Sequence, residues 1–129
     1  MPTVYLAGGM RSNWRKRVRN KSQGLDFISP VDKEVDYEMS AEEYGVWDLH
    51  YLREVNIVFG YMERTNPSGI GLACELGYAY GKDTTVVLVL EDESKHFKDR
   101  YLQFMEKVSD VRFSSLEDGI RFLSTFERN

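Results

Sequence analysis

Residues Thr84–Leu90 read TTVVLVL, an apolar run dominated by β-branched residues between the charged neighbours Asp83 and Glu91. A strand with one wet face alternates apolar and polar side chains, whereas this one is continuously apolar and must be covered on both faces. Such strands belong to parallel sheets with helices packed on either side. Outward from it, shorter β-rich runs lie at Thr3–Ala7 (TVYLA), Leu25–Ser29 (LDFIS), Asn56–Tyr61 (NIVFGY) and, more weakly, Val111–Phe113. Helical patterns fill the intervals. Asn13 to Ser22 is amphipathic through Trp14 and Val18. Ser40 and Glu43 stand as a capping box before a stripe of Tyr44, Trp47, Tyr51, Leu52 and Val55. Ser68 to Lys82 (SGIGLACELGYAYGK) reads as a helix apolar almost all round, with Glu75 in its middle. Phe97, Tyr101, Phe104, Met105 and Val108 mark a fourth, and Ser115 caps a last one carrying Leu116, Ile120 and Leu123. Five alternations of strand and helix predict an α/β fold, a doubly wound five-stranded parallel sheet in a single domain over residues 1–129. Pro30 to Met39 is the longest irregular segment, a surface loop by its acidic residues.

The 129 residues are 42% hydrophobic and 13% aromatic, enough for one well-filled core. A net charge of −4 and a pI near 5.2 argue against nucleic acid as a partner and for a small molecule. With Cys74 the only cysteine and His50 and His96 the only histidines, neither a disulfide framework nor a Cys/His metal site is expected, and no cofactor is implied. The N-terminus MPTVYLAGG has no leader pattern, and no stretch approaches the roughly 18 apolar residues of a membrane span. A cytoplasmic protein without a membrane partner is the expectation.

Ligands of doubly wound sheets bind outside the carboxyl ends of the strands. There the first loop reads Gly8-Gly9-Met10-Arg11-Ser12-Asn13, and the loop after the third strand MERTNPSG, Met62 to Gly69. Glycines allow close backbone approach and helix N-termini attract anions, so Gly8, Gly9, Arg11 and Ser12 are suited to a phosphate; equally, the glycines serve the geometry of a turn. GGMRSN matches neither a P-loop nor a dinucleotide fingerprint. The basic run Arg15, Lys16, Arg17, Arg19 and Lys21 reads as a solvated helix face. Two acids interrupt apolar stripes. Asp48 falls on the stripe of Tyr44, Trp47, Tyr51 and Leu52, and Glu75 is the only charged residue between Arg64 and Lys82. Buried carboxylates are rare unless paired or functional, although each could simply order the core through hydrogen bonds. The start of its own helix favours Glu75 as an anion. Cys74 reads as a core thiol, and Trp14 as packing or as a base-stacking surface. Glu63 and Asn66 are further candidates for contact with a base.

VYLAGGM at the start, DLHYLREVNIVFGY in the middle and NPSGIGLACELGYAYGK after it together resemble the nucleoside 2-deoxyribosyltransferase family, over roughly residues 3 to 90. That superfamily includes 2'-deoxynucleoside 5'-phosphate N-hydrolases and cytidylate N-glycosidases. The resemblance implies a flavodoxin-like fold, a nucleoside or nucleotide substrate, and a homodimer or higher homo-oligomer. It implies Glu75 as the nucleophile that attacks C1' and forms a covalent glycosyl-enzyme. Asp48 would contact the sugar or assist proton handling at the base, and the Tyr5 hydroxyl would orient Glu75. Gly8, Gly9, Met10, Arg11 and Ser12 would hold the sugar and a 5'-phosphate, with Ser68 and Gly69 on the phosphate side. Gly9 stands where the nucleotide hydrolases place a serine, and Ser68 lies one residue further from Glu75 than in those hydrolases. A neighbouring subunit often completes such sites from the segment after the fourth strand, here Glu91 to Leu102, with His96, Arg100 and Tyr101 as candidates.

Three readings are open at this point. In the first an enzyme cleaves the N-glycosidic bond and passes the sugar to a base or to water. In the second a non-catalytic module binds nucleotides in the same pocket. In the third Asp48 and Glu75 only order the core.

Overall fold

The computed structural model describes residues 1–10, 12–33, 38–64, 69–91 and 103–127. Five strands, β1 (Thr3–Gly8), β2 (Asp26–Ile28), β3 (Ile57–Met62), β4 (Thr85–Leu90) and β5 (Val111–Phe113), form one parallel sheet in the order β2-β1-β3-β4-β5. Among the described residues five helices accompany them: α1 (Trp14–Lys21), α2 (Ala41–Leu52), α3 (Ile70–Gly81), α4 (Gln103–Lys107) and α5 (Leu116–Ser124), with a 3-10 turn at Pro30–Lys33. The strand order reverses direction at β1, between β2 and β3. Because crossovers are right-handed, the connection leaving toward β2 covers one face and those running toward β5 cover the other. That is the flavodoxin-like arrangement, and its ligand crevice opens between β1 and β3.

Side-chain alternation along each strand builds the two halves of the core. Val4 and Leu6 of β1, Phe59 and Tyr61 of β3 and Val87 and Val89 of β4 meet Trp14 and Val18 of α1 and Leu116, Ile120 and Leu123 of α5. Tyr5 and Ala7, Val58 and Met62, and Val86, Leu88 and Leu90 point the other way, onto Leu52 of α2, Leu72, Leu76 and Ala79 of α3 and Met105 of α4. Each fully buried Leu or Val contributes about 1.5–3 kcal/mol. The apolar run that decided the fold is β4 itself, buried from Val86 to Leu90 and paired on both edges. The capping box forms as expected: Ser40 Oγ accepts from Glu43 N–H at 3.2 Å and Glu43 Oε1 accepts from Ser40 N–H at 2.8 Å. Ser115 likewise caps α5 by accepting from Asp118 N–H.

Three expectations are corrected. α3 is buried on one face only: Leu72, Leu76 and Ala79 pack inward, while Ile70 is 77% exposed and Tyr80 and Cys74 also face outward. Cys74 is therefore an accessible thiol and not a core one, because its position two residues after Leu72 turns it off the packed face. In the fourth helix only Gln103–Lys107 lies among the described residues, and there Met105 is buried while Phe104 is exposed. Of the α2 stripe, Leu52 is fully buried and Trp47 and Tyr51 pack half-buried against it.

Gly119 of α5 shows how closely the first face is packed. A Cβ there would collide with Val89 Cγ2 and stand 3.2 Å from Phe59 Cζ. Gly119→Ala should destabilise the protein by about 1–3 kcal/mol despite the better helix propensity of alanine, read as a lower midpoint in urea unfolding.

Candidate active site

The alternation of β1 puts Tyr5 at the centre of the sheet on the side of α2 and α3. It pairs in register with Val58 and Ile28 and is 0% exposed. α2, started by its capping box, carries Asp48 in its third turn. α3 starts at Gly69, whose carbonyl accepts from Ala73 N–H at 2.8 Å, and carries Glu75 in its second. The helices pack side by side, so that Asp48 and Glu75 line one cleft of about 280 Å³ with Gly45, Leu49, Leu52, Gly71 and Cys74. Two acids far apart in sequence thus share a cavity, with Glu75 Oε2 buried.

Tyr5 joins them from beneath. Burial pushes its phenol far above the usual tyrosine range, and the negative charges of Glu75 and then Asp48 raise it further. It stays protonated at any working pH, a donor that two carboxylates compete for. In this conformation the hydroxyl falls short of a well-formed hydrogen bond, so it adjoins both acids without being fixed to either. Catalytic hydrogen bonds in empty sites commonly tighten only when substrate arrives.

The β1–α1 loop borders the same end of the sheet. Gly8 has φ 146°, and a Cβ there would collide with the Tyr61 carbonyl oxygen and lie 3.1 Å from Trp14 Cζ2. The glycine is required by the close crossing of β1 and β3. Trp14 is 1% exposed, stacks near Phe59 and meets Tyr61 edge-on at 5.2 Å, so it is a packing residue rather than an open base platform. Its Nε1–H donates to Gly9 O at 2.9 Å.

Arg15 departs from the expectation of a solvated basic face: it is 6% exposed and donates to the carbonyls of Leu6, Gly8 and Gly9. Sequence reasoning missed it because five of the eight residues of α1 are basic, and charge runs usually face water. The signal was its position, beside Trp14 and one turn before Val18, on the edge of the buried stripe. A second unforeseen contact lies at the ends of β3 and β4, where Glu91 accepts from Tyr61 Oη–H at 2.7 Å and from Arg64 N–H at 2.9 Å, tying Arg64 to the end of β4.

Of the residues expected at the site, Tyr5, Asp48 and Glu75 come together. Gly8, Gly9, Met10 and Ser12 lie on the loop at the end of β1, with Met10 and Ser12 exposed, and Gly69 opens α3. Arg11, Ser68, Asn66, His96, Arg100 and Tyr101 lie outside the described residues. Glu63 is half-buried at the end of β3. Among the described residues no group of three or more His, Cys, Asp or Glu side chains is placed to hold a metal ion, and no helix is long and apolar enough to cross a membrane.

The profile of the family described as "nucleoside 2-deoxyribosyltransferase like" matches residues 1–93, the stretch from β1 through β4 that supplies all three of these side chains. The chain belongs to that family. No curated protein matches the sequence. Solved structures that share the fold include a conserved protein from Enterococcus faecalis V583, at TM-score 0.73 and 15% identity over 97% of this chain and 98% of that one. The CMP N-glycosidase BcmB from Clostridium botulinum aligns at TM-score 0.63 and 17% identity over 96% of this chain and 99% of its own. Both likenesses extend past the matched profile to the C-terminal elements, so β5 and α5 belong to the fold shared with these structures.

Proposed function

We propose that the protein cleaves the N-glycosidic bond of a nucleoside or nucleoside 5'-monophosphate, with Glu75 as the nucleophile and water or a second base as the acceptor of the sugar. The observation that carries this reading is the shared cleft of Glu75 and Asp48 with the Tyr5 hydroxyl beneath both. Family membership and the similarity to a CMP N-glycosidase support the class of substrate.

The chemistry follows from the transition state. As the bond to the base stretches, C1' gains oxocarbenium character, and a nearby carboxylate stabilises that charge before bonding to it. Glu75 forms the C1'–O bond as the C1'–N bond breaks, and the electron pair leaves with the base. Asp48, on the opposite wall, passes a proton from solvent to the departing base and takes up the proton that the incoming water or base gives up. Water or another base then attacks C1' and releases the Glu75 carboxylate. The two acids stand on separate helices, so a sugar can lie between them. Tyr5 steadies Glu75 by donating to it, and Arg15 and the Gly8–Gly9 turn border the end where a 5'-substituent would lie.

The test is release of free base from a panel of ribo- and deoxyribonucleosides and their 5'-monophosphates, with and without an acceptor base, followed by chromatography. Release from at least one substrate is the expected result; a folded protein that releases base from none of them refutes the enzyme reading. Tyr5→Phe should lower kcat about 10- to 100-fold, the worth of one hydrogen bond to a charged group, with KM and Tm little changed, as steady-state kinetics and a thermal melt would show.

A further inference from the structure

We propose that Arg15 is a positioning residue of this site: its buried fork holds the carbonyls of Leu6, Gly8 and Gly9 inward and thereby fixes the Gly8–Met10 turn at the end of β1 in its substrate-meeting shape. The inference rests on the glycosidase reading for the identity of the substrate, and on the following geometry for the rest.

Arg15 Nε–H donates to Leu6 O at 3.3 Å, Nη2–H to Gly8 O at 2.9 Å and Nη1–H to Gly9 O at 2.7 Å. The guanidinium lies over the Trp14 ring, its Cζ 4.5 Å from the centroid, and the same ring donates to Gly9 O. A trans peptide is planar, with the N–H of each residue antiparallel to the carbonyl before it. Turning the Gly8 and Gly9 carbonyls onto the guanidinium therefore turns the N–H groups of Gly9 and Met10 the other way, away from Arg15. Gly9 is half-buried there and Met10 is 51% exposed. The loop presents donors outward because an arginine collects its acceptors inward. A lysine would carry the charge but not the planar fork that reaches three carbonyls at once.

The charge itself is unusual. Burying a cation is costly unless it is paired, and among the described residues no carboxylate stands at ion-pair distance from Arg15. Carbonyl dipoles and an aromatic face compensate it, so a positive centre persists under the glycine turn. Burial lowers the pKa of the guanidinium, and the negative charges of Glu75 and then Glu63 pull it back up. Asp48 of α2 shares the Glu75 cleft, and the charge of Glu75 reaches Tyr5 on β1 and, through the sheet, Arg15 on α1. Glu63 after β3 and Arg19 on α1 act on Arg15 in turn. Arg15 favours the anion on Glu75 that a nucleophile requires, and does so without contacting the substrate.

Arg15→Lys and Arg15→Met separate the fork from the charge. With the best substrate of the panel, Arg15→Lys should raise KM about tenfold or more, leave kcat within about threefold, and leave the acid limb of kcat/KM where it is. Arg15→Met should raise KM as well and move that acid limb upward by about half a pH unit or more, because a lost neighbouring cation disfavours the carboxylate. Carbon-13 NMR titration of the Glu75 carboxylate gives a readout that needs no turnover, with the apparent pKa raised in Arg15→Met and unmoved in Arg15→Lys. Thermal melts show which variants are folded; should Arg15→Met not fold, KM of Arg15→Lys decides. Folded variants with wild-type KM, acid limb and Glu75 titration overturn the proposal and leave Arg15 a purely structural residue. If the wild type releases no base from any substrate, the glycosidase reading fails by itself. The NMR titration then still decides, and an unmoved Glu75 carboxylate in Arg15→Met overturns the role given to Arg15.

Discussion

Glu75→Gln is expected to lower base release from the best substrate by at least about a thousandfold, while the thermal midpoint stays level or rises. The substitution keeps the shape of the side chain on α3 and removes only its ability to attack C1' and to carry negative charge beside a forming oxocarbenium ion. Stability and activity part because Glu75 Oε2 is buried, and a neutral amide is less costly to desolvate than a carboxylate. Tyr5 would keep an acceptor in the amide oxygen. If Glu75 only ordered the core, the variant would instead lose stability with little specific loss of kcat. Binding separates the remaining alternative: a non-catalytic module would hold nucleotide equally well in wild type and Glu75→Gln and release base in neither.

Gly8→Ala carries the largest expected effect on folding, a loss of roughly 3 kcal/mol or more, read as a fall in the urea midpoint at constant m. Two costs add. The backbone at φ 146° suits glycine alone, and the new methyl group would collide with the Tyr61 carbonyl oxygen of the neighbouring strand. Unlike the far end of a flexible side chain, that carbonyl belongs to the β1–β3 ladder and cannot move without breaking the pairing of Gly8 with Tyr61. The same substitution would dislodge Gly8 O from Arg15, so any folded fraction should also show a raised KM.

Much of this was legible in the sequence, for definite reasons. TTVVLVL announced a strand covered on both faces because nothing in it tolerates water. Val111–Phe113 appears as β5 at the expected boundaries, and the Ser40–Glu43 capping box forms because both of its members satisfy otherwise orphaned amides. Asp48 and Glu75 stood out as acids on apolar stripes, and the two helices do bring them to one cleft. What stayed hidden is of one kind. Arg15 looked solvated because composition cannot show that three carbonyls and an indole ring wait in the interior for a guanidinium. Cys74 and Ile70 looked buried because hydropathy records what a side chain prefers, not whether the fold covers it. The bond of Glu91 to Tyr61 joins residues 30 apart in sequence, and only the β3–β4 register brings them together.

The central claim is that the sugar passes through a covalent bond to Glu75. Wild-type protein mixed with its best substrate, quenched in acid within milliseconds and measured by intact-protein and peptide mass spectrometry tests it directly. The account predicts an added mass equal to the transferred sugar on the peptide that contains Glu75, absent in Glu75→Gln. Rapid turnover with no adduct at any quench time, or an adduct on a different residue, would contradict it.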